Sequence, residues 1–231
     1  MVVTGPDDVT AWQVKLDEES PAVGDLYRVL VERESLRVAA PALARAYKAL
    51  VDMFSANGTL YICGNGGSMA DALHIAAELD KSFRHPRGLT EAQRNRLLAQ
   101  LDGGELAVHL QQGLRTIALG ANPALASAIA NDNPLCDIGF AQELYALGRP
   151  GDVLLGISTS GKAQNVRYAA SVAHALEMTV ISLTGPEGEP LASQADIAIH
   201  APGRDTPETQ AWHIQLYHVL CDMLEAGEFG S

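Results

Sequence analysis

Tyr61-Ile-Cys-Gly-Asn-Gly-Gly-Ser-Met-Ala-Asp-Ala-Leu-His-Ile-Ala-Ala-Glu78 carries an apolar strand into a glycine turn and on into a helix. Gly64, Gly66 and Gly67 allow a tight turn and close approach of the backbone to a ligand. Ser68 is placed to cap the helix and to offer a hydroxyl to an anion on its N-terminus. His74 and Glu78 stand four apart, so both project from one helical face, and such a pair binds a metal or shares proton transfer. The turn fits neither the dinucleotide pattern G-x-G-x-x-G nor the P-loop, which requires a lysine here absent. Strand, turn and helix are also the ordinary grammar of any α/β protein, so other segments must define the site.

Working outward, short apolar or β-branched runs recur at Thr59–Cys63, Thr116–Leu119, Val153–Ile157, Thr179–Leu183 and Ile197–Ile199, separated by helix-compatible sequence. That alternation predicts an α/β fold, a doubly wound, mainly parallel five-stranded sheet flanked by helices. Ligands of such sheets bind at the carboxyl ends of the strands. Residues 1–24 read as a weakly ordered or peripheral lead-in, with Gly5, Pro6, Asp7, Asp8 and an acidic cluster at Asp17–Glu19. From Leu26 to Phe54 helical spacing predicts two helices broken near Pro41, apolar enough to cover the sheet or to serve in oligomerisation. Between Phe83 and Gln112 a polar stretch reads as an insertion, at about 84–112, holding a helical hairpin with a helix near Glu91–Leu101. Its Arg84, His85 and Arg87 are either phosphate ligands or solvated charges. Residues 25–231 are expected to form a single domain.

The 231 residues suffice for one substantial core. The net charge of −12, without a basic run, disfavours nucleic acid as a direct ligand. A phosphate must then be held locally by backbone amides, hydroxyls and a few cations. Cys63, Cys136 and Cys221 have no C-x-x-C spacing and fit reduced thiols. No signal pattern or bilayer-length apolar run is visible, so a cytoplasmic protein without membrane contact is expected.

Gly151-Asp-Val-Leu-Leu-Gly-Ile-Ser-Thr-Ser-Gly-Lys-Ala-Gln-Asn165 is the second chemical stretch. Here a strand runs into Ser158, Thr159 and Ser160, whose hydroxyls, with the free N–H groups of a helix starting near Gly161, suit a phosphate. Ordinary N-capping explains one such residue but not three. In the last helix, from Thr206 to Glu225, Gln210 and His218 stand eight apart on nearly one stripe of an apolar segment that also carries His213. Buried polar side chains there must find partners.

Cys63-Gly-Asn-Gly-Gly-Ser68, His74, Glu78, Gly156-Ile-Ser-Thr-Ser-Gly161, Gln210 and His218 together resemble the sugar isomerase (SIS) fold, and within it the phosphoheptose isomerases. The resemblance implies conversion of sedoheptulose 7-phosphate to D-glycero-D-manno-heptose 7-phosphate through an enediolate. It implies that Glu78 moves the proton between C1 and C2 with His218 as acid partner, and that His74, Glu78, Gln210 and His218 hold one zinc ion. Aldose–ketose exchange needs a base near the carbon acid and an electrophile at the oxygen, which such a set provides. A tight bond from Glu78 to metal would make it a poorer base, so its two roles compete. By the same matching Asn65, Gly66, Ser68 and Gln210 contact substrate, Asp132 binds sugar hydroxyls, and Ser158, Thr159 and Ser160 hold the phosphate. The resemblance also implies a homo-oligomer, a tetramer with shared active sites.

Two departures stand out. Lys162-Ala163 replaces the usual Asn-Ser, so one hydroxyl is lost and Lys162 is offered instead as a point charge. The insertion follows the helix of His74 and Glu78 and can reshape the sugar end of the pocket. The alternatives are an isomerase of another phosphosugar, or a non-catalytic phosphosugar-binding or replication-initiator-associated relative.

Overall fold

Five short strands lie side by side in the order β2-β1-β3-β4-β5, every pairing parallel, in a computed structural model that describes residues 8–230. They are β1 Leu60–Gly64, β2 Thr116–Ala118, β3 Val153–Ser158, β4 Thr179–Thr184 and β5 Ile197–His200. Each lies within a residue or so of its expected position. Ile62 of β1 pairs with Ala118 on one side and Leu155 on the other, so β1 is an interior strand beside the central β3. All residues of β1 and β3 are buried, as both faces of a parallel sheet require.

The helices are α1 Val9–Glu19, α2 Pro21–Glu32, α3 Ala40–Ser55, α4 Gly67–Asp80, α5 Glu91–Leu98, α6 Gly103–His109, α7 Pro123–Asp132, α8 Gly139–Leu147, α9 Gln164–Ala175, α10 Leu191–Gln194 and α11 Thr206–Phe229. Alternation along the strands sorts the core. Leu60, Ile62, Leu155 and Ile181 pack with side chains of α1 to α4 and α11, while Tyr61, Cys63, Leu154 and Val180 pack with α8, α9 and α10.

From β1 the chain steps to β2 on one side and then to β3 on the other, so the winding reverses between β1 and β3. At such a switch point the loops leaving the two strands diverge and open a crevice. The Gly64–Ser68 turn and the Ser158–Gly161 loop leave from there.

Several expectations change. Asp8 caps α1 through the Thr10 amide, and Trp12 and Leu16 are buried in the main core, so the described part of the lead-in is a packed helix. Two apolar residues one turn apart suffice to anchor it. Gly5, Pro6 and Asp7 lie outside the described residues. The break between α2 and α3 falls at 33–39, and Pro41 lies in the first turn of the second helix, where its missing N–H costs nothing. The stretch 84–112 holds the expected helical hairpin, α5 and α6, its base closed by a bridge between Gly88 and Gln111. Arg87 is buried and hydrogen-bonded within the protein, so it is neither solvated nor free for a phosphate. No helix among the described residues is long and apolar enough to cross a membrane.

Candidate active site

Gly66, at φ +56°, is the N-cap of α4, a conformation that favours glycine. Ser68 is therefore inside the first turn, buried, and makes no capping bond. Asn65 and Asn165 bond amide to amide in both directions at 2.8 Å, closing the two loops of the switch point onto each other. Asn165 belongs to the first turn of α9, which starts at Gln164, three residues later than the sequence suggested.

At the second loop Ser158 is buried, Thr159 is partly exposed, and Ser160 and Lys162 are exposed. The Lys162 amide donates to Ser160 Oγ, and Thr159 Oγ1 lies 3.5 Å from Thr206 Oγ1 at the start of α11. Gly161, at φ +69°, touches the Gly188 carbonyl so closely that an added Cβ would sit 1.8 Å from it. Thr159, Ser160 and Lys162 line a cleft of about 530 Å³ with Gly188, Arg204 and Thr206. Glu187 and Asp205 also line it, and Arg204 is paired with Glu208 at 2.8 Å, so the donors it offers an anion are the hydroxyls and Lys162.

Helices α4 and α11 run side by side in the same direction. The Gln210 amide lies against Gly67, where an added Cβ would come 2.3 Å from Nε2. Further along, the Tyr217 hydroxyl donates to Asp71 Oδ1 at 3.3 Å and meets His74 Nδ1 at 2.9 Å. Beyond it, the His218 ring stands edge-on to His74 with centroids 5.0 Å apart. His74 Nε2 is 3.0 Å from Glu78 Oε1. Three of the expected ligands thus converge, since His74, Glu78 and His218 offer atoms within 4.8 Å of one another.

The Gln210 amide is placed by its contact with Gly67 at the start of α4. His74 and Glu78 follow Gly67 by two and three helical turns, roughly 10 and 16 Å along the axis at 1.5 Å per residue. Gln210 sits instead at the hydroxyl-lined end, one turn from Thr206. Asp132, at the end of α7, is exposed and accepts from the neighbouring Asn131 amide, and no recorded contact joins it to the other candidates.

The cluster is shaped to accept a cation. Tyr217 donates to Asp71, which leaves His74 Nδ1–H as the donor of its second bond and turns Nε2 toward Glu78. His218 Nε2 is buried without a hydrogen-bond partner. Burial, then the neighbouring His74, lowers the His218 pKa, which keeps the ring neutral and its lone pair available. Two imidazoles and a carboxylate suit zinc. The Asp71–Tyr217–His74 chain is the usual kind of outer support for a metal-binding imidazole. Burial raises the Asp71 pKa, and its bond from Tyr217 offsets part of that.

Sequence reasoning did not single out Asp71, Tyr217 or Asn165. Asp71 was within reach, being three residues before His74 on the same face. Tyr217 and Asn165 act through contacts 143 and 100 positions away, which no local pattern announces.

Residues 105–185 match the SIS domain family. The chain is 36% identical over 193 residues to the phosphoheptose isomerase of Helicobacter hepaticus, covering 83% of this chain and 86% of that one. Among solved structures, the phosphoheptose isomerase of Neisseria gonorrhoeae superposes with a TM-score of 0.65 at 31% identity, covering 92% of this chain and 96% of that one. The phosphoheptose isomerase of Francisella tularensis gives 0.67 at 28% identity, covering 91% and 96%.

Proposed function

Since the chain belongs to the phosphoheptose isomerase family, we propose that it converts sedoheptulose 7-phosphate to D-glycero-D-manno-heptose 7-phosphate, with His74, Glu78 and His218 as its chemical centre. The observation that carries this reading is the meeting of those three side chains between α4 and α11.

In the forward direction the Glu78 carboxylate takes a proton from C1 of the ketose and returns it to C2. His218, neutral through burial, relays the proton that leaves the C1 hydroxyl and arrives on the C2 oxygen. His74, oriented by Tyr217, holds the Glu78 carboxylate through its contact with Oε1. A zinc ion held by His74, Glu78 and His218 would act as a Lewis acid toward the substrate oxygens. Ser158, Thr159, Ser160 and Lys162 hold the phosphate, while Asn65, Gly66, Ser68 and Gln210 line the way to it. Asp132 takes a sugar hydroxyl.

The enzyme acts as a homo-tetramer with shared active sites. Val29 on α2 and Val38 in the break before α3, 48% and 74% exposed, offer apolar surface for such an assembly. A cytoplasmic location agrees with a phosphorylated substrate.

The test is turnover of sedoheptulose 7-phosphate by the purified protein, with zinc added, after chelation, and in Glu78→Gln. Activity that disappears in Glu78→Gln supports the reading. A folded wild-type protein that never turns over this substrate overturns it.

A further inference from the structure

Arg87 and Glu225 form an ion pair at 2.7 Å in which neither side chain has any exposed surface. A buried pair is retained only where further hydrogen bonds compensate its desolvation, and here every polar group is used. Arg87 Nη1 donates to the Leu79 carbonyl at 2.6 Å and Nη2 to the Glu78 carbonyl at 3.0 Å, both in the last turn of α4. Glu225 Oε1 accepts from the Phe83 amide, and Oε2 from the Arg84 and His85 amides at 2.6 and 2.9 Å. Burial alone would push the Glu225 carboxyl up, but these donors together hold it below the usual range.

The arrangement joins two elements that must keep a fixed spacing. Glu78, whose carbonyl Arg87 grips, is a member of the triad on α4. Glu225 stands seven residues after His218 on the same face of α11. The turn they clamp carries Phe83, whose ring packs on His218 with centroids 5.5 Å apart. Arg84 adds an ion-pair contact to Asp222, between His218 and Glu225 on that face.

We propose that Arg87, anchored by Glu225, is a positioning residue that sets the distance between Glu78 and His218. This rests on the function proposed above. The guanidinium is required, because three contacts in one plane need its fork, and an ammonium serves only one or two of them.

The experiment compares wild type with Arg87→Lys in the full chain, reading zinc affinity by competition with a chromophoric chelator, kcat and KM for sedoheptulose 7-phosphate, and the thermal midpoint. Arg87→Lys is expected to weaken zinc binding and to lower kcat by about 10–100-fold each, the range for displaced outer support of a metal site. KM should move by less than about threefold, because the phosphate contacts are distant. A lowered midpoint with zinc affinity and kcat per folded molecule unchanged overturns the proposal and leaves a purely structural pair. If Arg87→Lys does not fold, Glu225→Gln, which keeps the shape but not the charge, is read against the same outcomes. Absence of turnover in wild type counts against the proposed function, and the zinc affinities then decide the positioning role by themselves.

Discussion

The Tyr217 hydroxyl lies 2.9 Å from His74 Nδ1 and donates a hydrogen bond to Asp71, so the orientation of one candidate ligand depends on a residue next in sequence to another. Tyr217→Phe keeps the ring and its packing while deleting both bonds. Zinc affinity in the competition assay should fall about tenfold or more, as for other outer-shell losses. The thermal midpoint should change little, since Asp71 is relieved of a partner only at a half-buried position. Unchanged zinc affinity would detach Tyr217 from the site.

Gly67→Ala separates the two ends of α4. The new Cβ would sit 2.3 Å from the Gln210 amide, the tip of a flexible side chain, so Gln210 must swing aside while the backbone stays. Alanine favours a helix over glycine by up to about 1 kcal/mol, so stability should hold or rise. KM for the sugar phosphate should increase severalfold with zinc affinity unaltered. Loss of zinc affinity instead would place Gln210 among the metal ligands.

His213 contributes to the acid sensitivity of the fold. Its ring is fully buried, and neither nitrogen has a well-formed hydrogen bond. Desolvation lowers its pKa to about 4, and the Thr184 backbone offsets only part of that. The unfolded chain takes up its proton near pH 6.5 and the native chain only near 4. Stability present above 6.5 is thus lost as pH falls between those values, by up to about 3 kcal/mol at 1.36 kcal/mol per pKa unit. Urea unfolding at pH 7.5 and 5 should show the loss, and His213→Leu should flatten it. A variant as acid-sensitive as wild type would shift the cause to another group.

The sheet was legible because each strand is a short apolar run bounded by turns, and a parallel sheet buried on both faces needs nothing more from its sequence. Helix α1 was not, because its surface is polar and its attachment rests on Trp12 and Leu16 alone. Arg87 stood in a polar stretch with every sign of exposure, and its partner Glu225 is 138 positions away. His74 and Glu78 declared themselves through spacing within one helix. The pairing of Gln210 with Gly67, two turns from His74, depended on α11 running in the same direction as α4, which only the packed structure supplies.

Helices α4, α9 and α11 all start at the carboxyl edge of the sheet, so the positive ends of three helix dipoles lie there in a chain whose net charge is −12. The attraction for a phosphate is therefore felt only on arrival, and the repulsion is felt from afar. Salt screens the second far more than the first, with a Debye length of about 10 Å at 0.1 M. Moderate ionic strength should thus speed the encounter with a dianionic sugar phosphate, and kcat/KM measured from 10 to 150 mM salt should rise. A steep fall over that range would mean that exposed cations such as Lys162 and Arg204 govern the approach.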